Sequence, residues 1–146
     1  MGISEGKRGT GKRRRARVVL VVEDDDAVRD EVCAALQSAG YAVLQATDGE
    51  EALGVLLSND KPEPTVIVLD MWLPRMTGQE LLQVVQGYHR LAKIPIVISS
   101  ASHLFEHYAE ARHAGWLPKP YDADALLSAV NVRCEPEVAS SPASSA

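Results

Sequence analysis

Thr65-Val66-Ile67-Val68-Leu69-Asp70-Met71-Trp72-Leu73-Pro74 is the stretch that decides the fold. Four apolar residues, three of them β-branched, run directly into one aspartate. Such a run reads as a strand buried on both faces, as in a parallel sheet. Pro74 cannot donate to a ladder and stops it. Asp70 therefore stands at the C-terminal lip of a central strand, where open α/β sheets bind ligands. A carboxylate there is a metal ligand, a nucleophile or a helix cap.

Working outward, the same pattern repeats. Val18 to Val22 is a continuous apolar strand, followed at once by Glu23, Asp24, Asp25 and Asp26. Asp26 reads as the cap of a helix over 27–38, with Asp25 solvated in the turn and Gly40 ending the helix. Tyr41 to Ala46 is a second strand, Thr47-Asp48-Gly49 a turn and Glu50 to Leu57 a second helix. After the central strand, Pro74 to Gly78 is a loop and Gln79 to Arg90 a third helix. Ile94 to Ser99 is the fourth strand. Ser102 or His103 to Ala114 is a fourth helix that Gly115 ends, and Trp116-Leu117-Pro118 a very short fifth strand. Asp122 caps a fifth helix to about Val132. Apolar strands alternating with helices predict an α/β fold, a (βα)5 doubly wound parallel five-stranded sheet. Right-handed crossovers favour the order 2-1-3-4-5.

Composition bounds the rest. The 146 residues suffice for one domain with a sizeable core. No apolar run approaches the ~18 residues of a membrane span, and the basic N-terminus leads into an apolar run too short for a signal peptide. Two cysteines do not make a disulfide framework, which points to a reducing cytoplasm. The net charge of −5 hides an asymmetry. Residues 1–17 carry seven basic side chains against Glu5, whereas the remainder carries eight basic and 19 acidic ones. The expected organisation is a basic disordered arm over 1–17, a folded domain over 18–132 and a disordered Ser/Pro/Ala tail over 133–146. The arm is a candidate for contact with nucleic acid or a membrane surface; a solvated tail is the plainer reading. Within it, Gly6 to Lys12 fits most of a phosphate-binding P-loop. Arg13 stands where Ser or Thr is needed, and the stretch precedes a strand instead of following one.

Four strand ends meet at one edge in this topology. They bring Glu23 and Asp24, Asp70, Ser99 or Ser100, and Lys119 with Pro120. Three close carboxylates repel one another and call for a cation. Hard oxygen ligands around an open site suit Mg²⁺, which also meets phosphate. A lysine and a hydroxyl can hold the remaining oxygens of a phosphoryl group, and a carboxylate can be the nucleophile that forms an acyl phosphate. His103 and His107, four apart on a helix, have no third ligand in view and read as surface residues.

At this point the chain resembles the receiver domain of two-component response regulators. The resemblance is carried by Val18 to Asp25, Thr47 to Leu53, Leu69 to Gly78, Ile94 to Ala101 and Leu117 to Pro120, in order and at near-family spacing. It implies a flavodoxin-like fold with Asp70 as phosphoacceptor. It implies Mg²⁺ held by Glu23, Asp24, Asp70 and the backbone carbonyl of Trp72. Lys119 is then the site lysine, joined to Pro120 by a cis peptide. Ser100 is the switch hydroxyl and Trp116 the switch aromatic. The implied partners are a sensor histidine kinase or histidine phosphotransfer protein upstream and a protein target downstream. Between Gly115 and Trp116 the chain is shorter than is usual in the family, so the fifth strand or the end of the fourth helix must be altered. No effector domain fits before residue 18 or after 132, so a single-domain signalling protein is expected. Two rivals remain: a degenerate receiver that only binds partners, and an aspartate-nucleophile phosphohydrolase. The second usually needs another aspartate at the position of Trp72.

Overall fold

A computed structural model of the chain describes residues 17–134. The expected arm but for Arg17, the P-loop-like stretch and all of the expected tail but residues 133 and 134 lie outside the described residues. The order is β1 (Val18–Val22), α1 (Asp26–Ser38), β2 (Ala42–Ala46), α2 (Gly49–Leu57), β3 (Val66–Asp70), α3 (Gly78–Gly87), a 3-10 turn (Leu91–Lys93), β4 (Ile96–Ser100), α4 (Leu104–Ala111), β5 (Gly115–Pro118) and α5 (Ala123–Cys134). The five strands are parallel, in the order β2-β1-β3-β4-β5. This is the fold read from the sequence.

The three central strands are buried along their whole length, which is why each is a near-continuous apolar run. Alternate side chains serve opposite layers. Leu20, Val22, Ile67, Leu69, Ile96 and Ile98 pack beneath α2, α3 and α4. Val19, Val21, Val66, Val68 and Val97 pack beneath α1 and α5, with Leu36, Leu126 and Val130. Each wholly buried aliphatic side chain contributes about 1.5–3 kcal/mol relative to exposure. Because both faces are filled, one register is fixed. Val21 pairs with Val68 and Asp70 with Ser99, so the polar strand ends lie together.

Helix ends depart from the sequence reading by a few residues, for local reasons. Asp25, not Asp26, caps α1. Its backbone is extended (φ −80°, ψ 115°) and its carboxylate accepts the Val28 N–H at 3.1 Å, while Asp26 is already helical and pairs with Arg29 at 2.6 Å. Asp48 is not merely a turn residue: it caps α2 by accepting the Glu51 N–H, so that helix begins at Gly49. A capping box of Thr77 and Glu80 starts α3 at Gly78. That helix stops at Gly87 and not Arg90, because Tyr88 turns extended. Tyr41 lies just outside β2, and β4 begins at Ile96 and takes in Ser100. Helix α4 is only eight residues and ends before the predicted Gly115. His113 takes the left-handed conformation (φ 59°) beyond its end, and Gly115 already belongs to β5. The short spacing before Trp116 thus goes with an α4 that ends at Ala111, three residues before the expected Ala114. Asp122 caps α5 as expected, through the Ala125 N–H at 2.9 Å. That helix continues past Val132 to Cys134, so residues 133 and 134 are helix and not tail.

Candidate functional site at the edge of the sheet

Each strand of the central trio delivers one part of the site. Glu23 follows β1, and its N–H donates to the Ala46 carbonyl at 3.0 Å, as though the strand continued. Its carboxylate is buried and doubly used. Oε2 accepts the Asp25 N–H at 3.1 Å, and Oε1 accepts the Lys119 ammonium at 2.8 Å. Asp24, next along, is exposed. Asp70 ends β3, buried, with Oδ1 accepting the Trp72 N–H at 3.3 Å and lying 3.5 Å from the Lys119 Nζ. Carboxylate oxygens of Glu23, Asp24 and Asp70 all lie within 4.8 Å of one another, the one such acidic cluster among the described residues.

Lys119 is aimed by the backbone around it. Its N–H donates to the Ser100 carbonyl at 2.9 Å, continuing the β4–β5 ladder, and its peptide bond to Pro120 is cis, as the resemblance implied. Burial works against the charged ammonium. The hydrogen bond to Glu23 and the negative fields of Asp70 and Glu23 outweigh it and raise the Lys119 pKa above its ordinary value. Asp70 moves the other way. Burial, then repulsion from Glu23, push its pKa up to about 6, although Lys119 and the Trp72 N–H pull it back. The site therefore holds more negative charge than its one ammonium compensates.

Two further residues support the loop after Asp70. Gly78 approaches so closely that a Cβ would lie 2.4 Å from the Asp70 carbonyl oxygen, and its N–H donates to the Met71 carbonyl. No other residue fits there. Gly49 makes the same approach to the Met76 carbonyl, again 2.4 Å from a would-be Cβ.

Of the other predicted residues, Ser100 is wholly buried at the end of β4, and its Oγ accepts the Ser102 N–H at 3.0 Å. No hydrogen bond joins it to the carboxylates. Ser99 is also buried, one residue earlier and so on the opposite face of the strand. Trp116 on β5 is half-buried, with its ring 6.3 Å from that of His103 at 55°. Trp72 is 62 % exposed, and its indole meets the Phe105 ring edge-on. His107 lies 3.8 Å from Glu110 and belongs to no metal-ligand cluster.

The sequence reading missed a brace on the acceptor loop. Arg75 sits at φ 63°, a conformation uncommon outside glycine. Its guanidinium bonds the buried carboxylate of Asp48 and lies 3.8 Å from Glu50. The Glu51 N–H lowers the Asp48 pKa against the cost of burial, and Arg75 adds to the effect. The only sequence signal was the Asp48-x-x-Glu51 spacing of a helix start, which says nothing about a partner 27 residues away.

Comparison with known proteins agrees with this geometry. Residues 19–131 match the sequence model of the response regulator receiver domain. The chain is 33 % identical over 117 residues to the DNA-binding dual master transcriptional regulator RpaA of Synechocystis sp., covering 77 % of this chain and 46 % of that protein. It is 34 % identical over 125 residues to the response regulator MprA of Mycobacterium tuberculosis, covering 82 % and 52 %. The chain thus spans about half the length of these curated relatives. Among solved structures, the chemotaxis response regulator CheY4 of Vibrio cholerae superposes with a TM-score of 0.73 at 33 % identity, covering 82 % of this chain and 99 % of that one. A response regulator from Chloroflexus aurantiacus gives 0.75 at 27 % identity, covering 82 % and 98 %.

Proposed function

The chain belongs to the response regulator receiver domains of two-component signalling, and on that premise we propose that Asp70 is its phosphoacceptor. One observation carries the assignment: Asp70, Glu23 and Asp24 converge within 4.8 Å, with the Lys119 ammonium bonded to Glu23 and 3.5 Å from Asp70. An Asp70 oxygen attacks the phosphorus of a phosphohistidine on a sensor kinase or phosphotransfer protein. The Asp70 Oδ–P bond forms, the N–P bond breaks, and the departing imidazole takes up a proton. Lys119 offers a positive charge to the transferring group, and the buried Ser100 supplies a hydroxyl donor at the end of β4. Transfer onto Asp70, and hydrolysis from it, are the only chemistry this reading needs; the domain signals and does not turn over a substrate.

The donor set fits Mg²⁺. Three hard carboxylates converge, one of them exposed; burial first, and then repulsion from Glu23, raise the Asp70 pKa, and a divalent cation would relieve the second of these. Glu23, Asp24, Asp70 and the Trp72 carbonyl would hold it. When bound, it supplies neutralisation of charge on the phosphoryl oxygens. Output runs through contact with a protein target, with Ser100 and Trp116 as the switching pair. The proposed unit is residues 18–134, which carries the expected boundary to the end of α5, in a cytoplasmic setting. No described helix is long and apolar enough to cross a membrane, and Cys33 and Cys134 are thiols, not a disulfide.

The test is intact mass after incubation with acetyl phosphate. One added phosphate is expected, dependent on Mg²⁺ and absent in Asp70→Asn. Undiminished labelling of that variant would remove the assignment.

A further inference from the structure

We propose that Phe105, on the first turn of α4, positions the acceptor loop through Trp72. The contact would tie the state of the carboxylate site to the placement of α4 by a route separate from Ser100 and Trp116. The inference deepens the reading of Asp70 given above.

Trp72 does two things at once. Its backbone N–H donates to Asp70 Oδ1 at 3.3 Å, and its indole, though 62 % exposed, rests edge-on against Phe105. The ring centroids are 5.5 Å apart and the planes 74° from parallel, the favoured geometry for an aromatic pair. An exposed tryptophan without such a neighbour would exchange among rotamers, and its peptide would be looser with it. Phe105 is itself braced from behind. Tyr108 meets it edge-on at 6.2 Å and 82°, the Arg112 guanidinium lies over the Tyr108 ring at 4.9 Å, and Arg112 and Gln86 bond one another at 3.4 Å.

The far side of the contact is lightly held. Helix α4 has eight residues, its cap residue His103 gives no side-chain hydrogen bond, and Ala109 is its one fully buried residue. A helix with so little core takes its position from a few edge contacts. Trp72–Phe105 is one of these and His103–Trp116 another. When an Asp70 oxygen becomes the bridging oxygen of an acyl phosphate, the acceptor presented to the Trp72 N–H changes. The indole moves with its peptide, and Phe105 receives the displacement. By linkage, anything that displaces α4 alters the loop in return.

An aromatic pair of this kind is worth about a two- to ten-fold change in an equilibrium. The experiment uses the full chain, with Phe105→Leu, Trp72→Leu, the double variant and Phe105→Tyr. Amide exchange at residue 72 is followed by NMR without metal, and Mg²⁺ affinity from amide shifts. Acetyl phosphate labelling at saturating Mg²⁺ and the melting temperature complete the set. Phe105→Leu should speed exchange and weaken Mg²⁺ about two- to ten-fold with little change in melting. The double variant should be no worse than Trp72→Leu, and Phe105→Tyr should retain the parent values. Unchanged exchange and Mg²⁺ affinity in Phe105→Leu, or full additivity in the double variant, would overturn the proposal. A parent that neither binds Mg²⁺ nor labels would instead overturn the reading of Asp70, and the metal-free exchange would still decide the role of Phe105.

Discussion

Asp70 and Asp48 are both buried aspartates, and their environments push them in opposite directions. Asp70, raised to about 6, holds its proton more tightly folded than unfolded. Its charge therefore costs stability above pH 6, and that cost is relieved as the pH falls from about 6 towards its unfolded pKa near 4. Asp70→Asn should remove this component. At pH 7, without metal, the variant should be more stable by on the order of 2 kcal/mol. The difference should shrink on acidification to about pH 4, as read by denaturant melts across the range. Parallel pH curves for the two proteins would contradict the effect of burial and repulsion assigned to this residue. Asp48, held low by the Glu51 N–H and Arg75, behaves in reverse: its contribution is present above its unfolded pKa and is lost as the pH falls through the folded one. Arg75→Ala strips one partner from this buried carboxylate. Because the guanidinium is largely exposed, the expected loss is about 1 kcal/mol, measurable as a lower urea midpoint at pH 7. Asp48→Ala, which also removes the α2 cap, should cost more, about 2 kcal/mol.

At the scale of elements, legibility followed burial. β1 and the end of β3 at Asp70 were read to the residue, because a strand covered on both faces needs an unbroken apolar run. Glu23, Asp24, Asp70 and Lys119 were readable for a related reason, since topology alone carries those strand ends to one edge. What escaped was decided by backbone geometry. The run Glu23 to Asp26 offers several capping carboxylates, and only the extended backbone of Asp25 selects among them. The Arg75–Asp48 brace and the Trp72–Phe105 contact join residues distant in sequence with no local signature. The short α4 and early β5 were anticipated only as an alteration, because spacing shows that residues are missing and not which element gives them up. This shortening bears on Trp116. Its ring is half-buried beside His103, on a strand of only four residues. Phosphorylation of Asp70 should draw the Ser100 hydroxyl towards the new acceptor oxygens and free volume for the indole. The bulk of the ring and the tight connection should restrict the swing, giving a small shift in population. The indole N–H resonance of Trp116, followed in a Trp72→Phe background with and without phosphorylation, reads it directly. An unmoved signal, with partner binding still phosphate-dependent, would assign output to another surface.

For the whole molecule, charge is the unusual feature. The described body is strongly acidic, with Asp24, Asp25, Asp26, Asp30, Glu31, Asp122 and Asp124 exposed, whereas residues 1–17 are basic. If the basic stretch serves as the expected arm, it would suit a polyanionic partner. Binding through it should weaken steeply with added salt and should be lost on deletion of residues 1–16. Equal affinity at low and high salt would exclude the arm from the interaction.

The two borders of the sheet differ in kind. β5 is short, and Pro118 removes one of its outward donors. β2 has Ala42-Val43-Leu44-Gln45-Ala46, five residues with neither charge nor proline, and no described strand lies beyond it. Such a border is a template for another chain's backbone. Crowding and heat should therefore turn this protein toward aggregates seeded at β2 well before its centre fails. A single lysine at an exposed position there, as in Ala42→Lys, should raise the concentration at which heated samples scatter light, while leaving phosphate labelling at Asp70 intact.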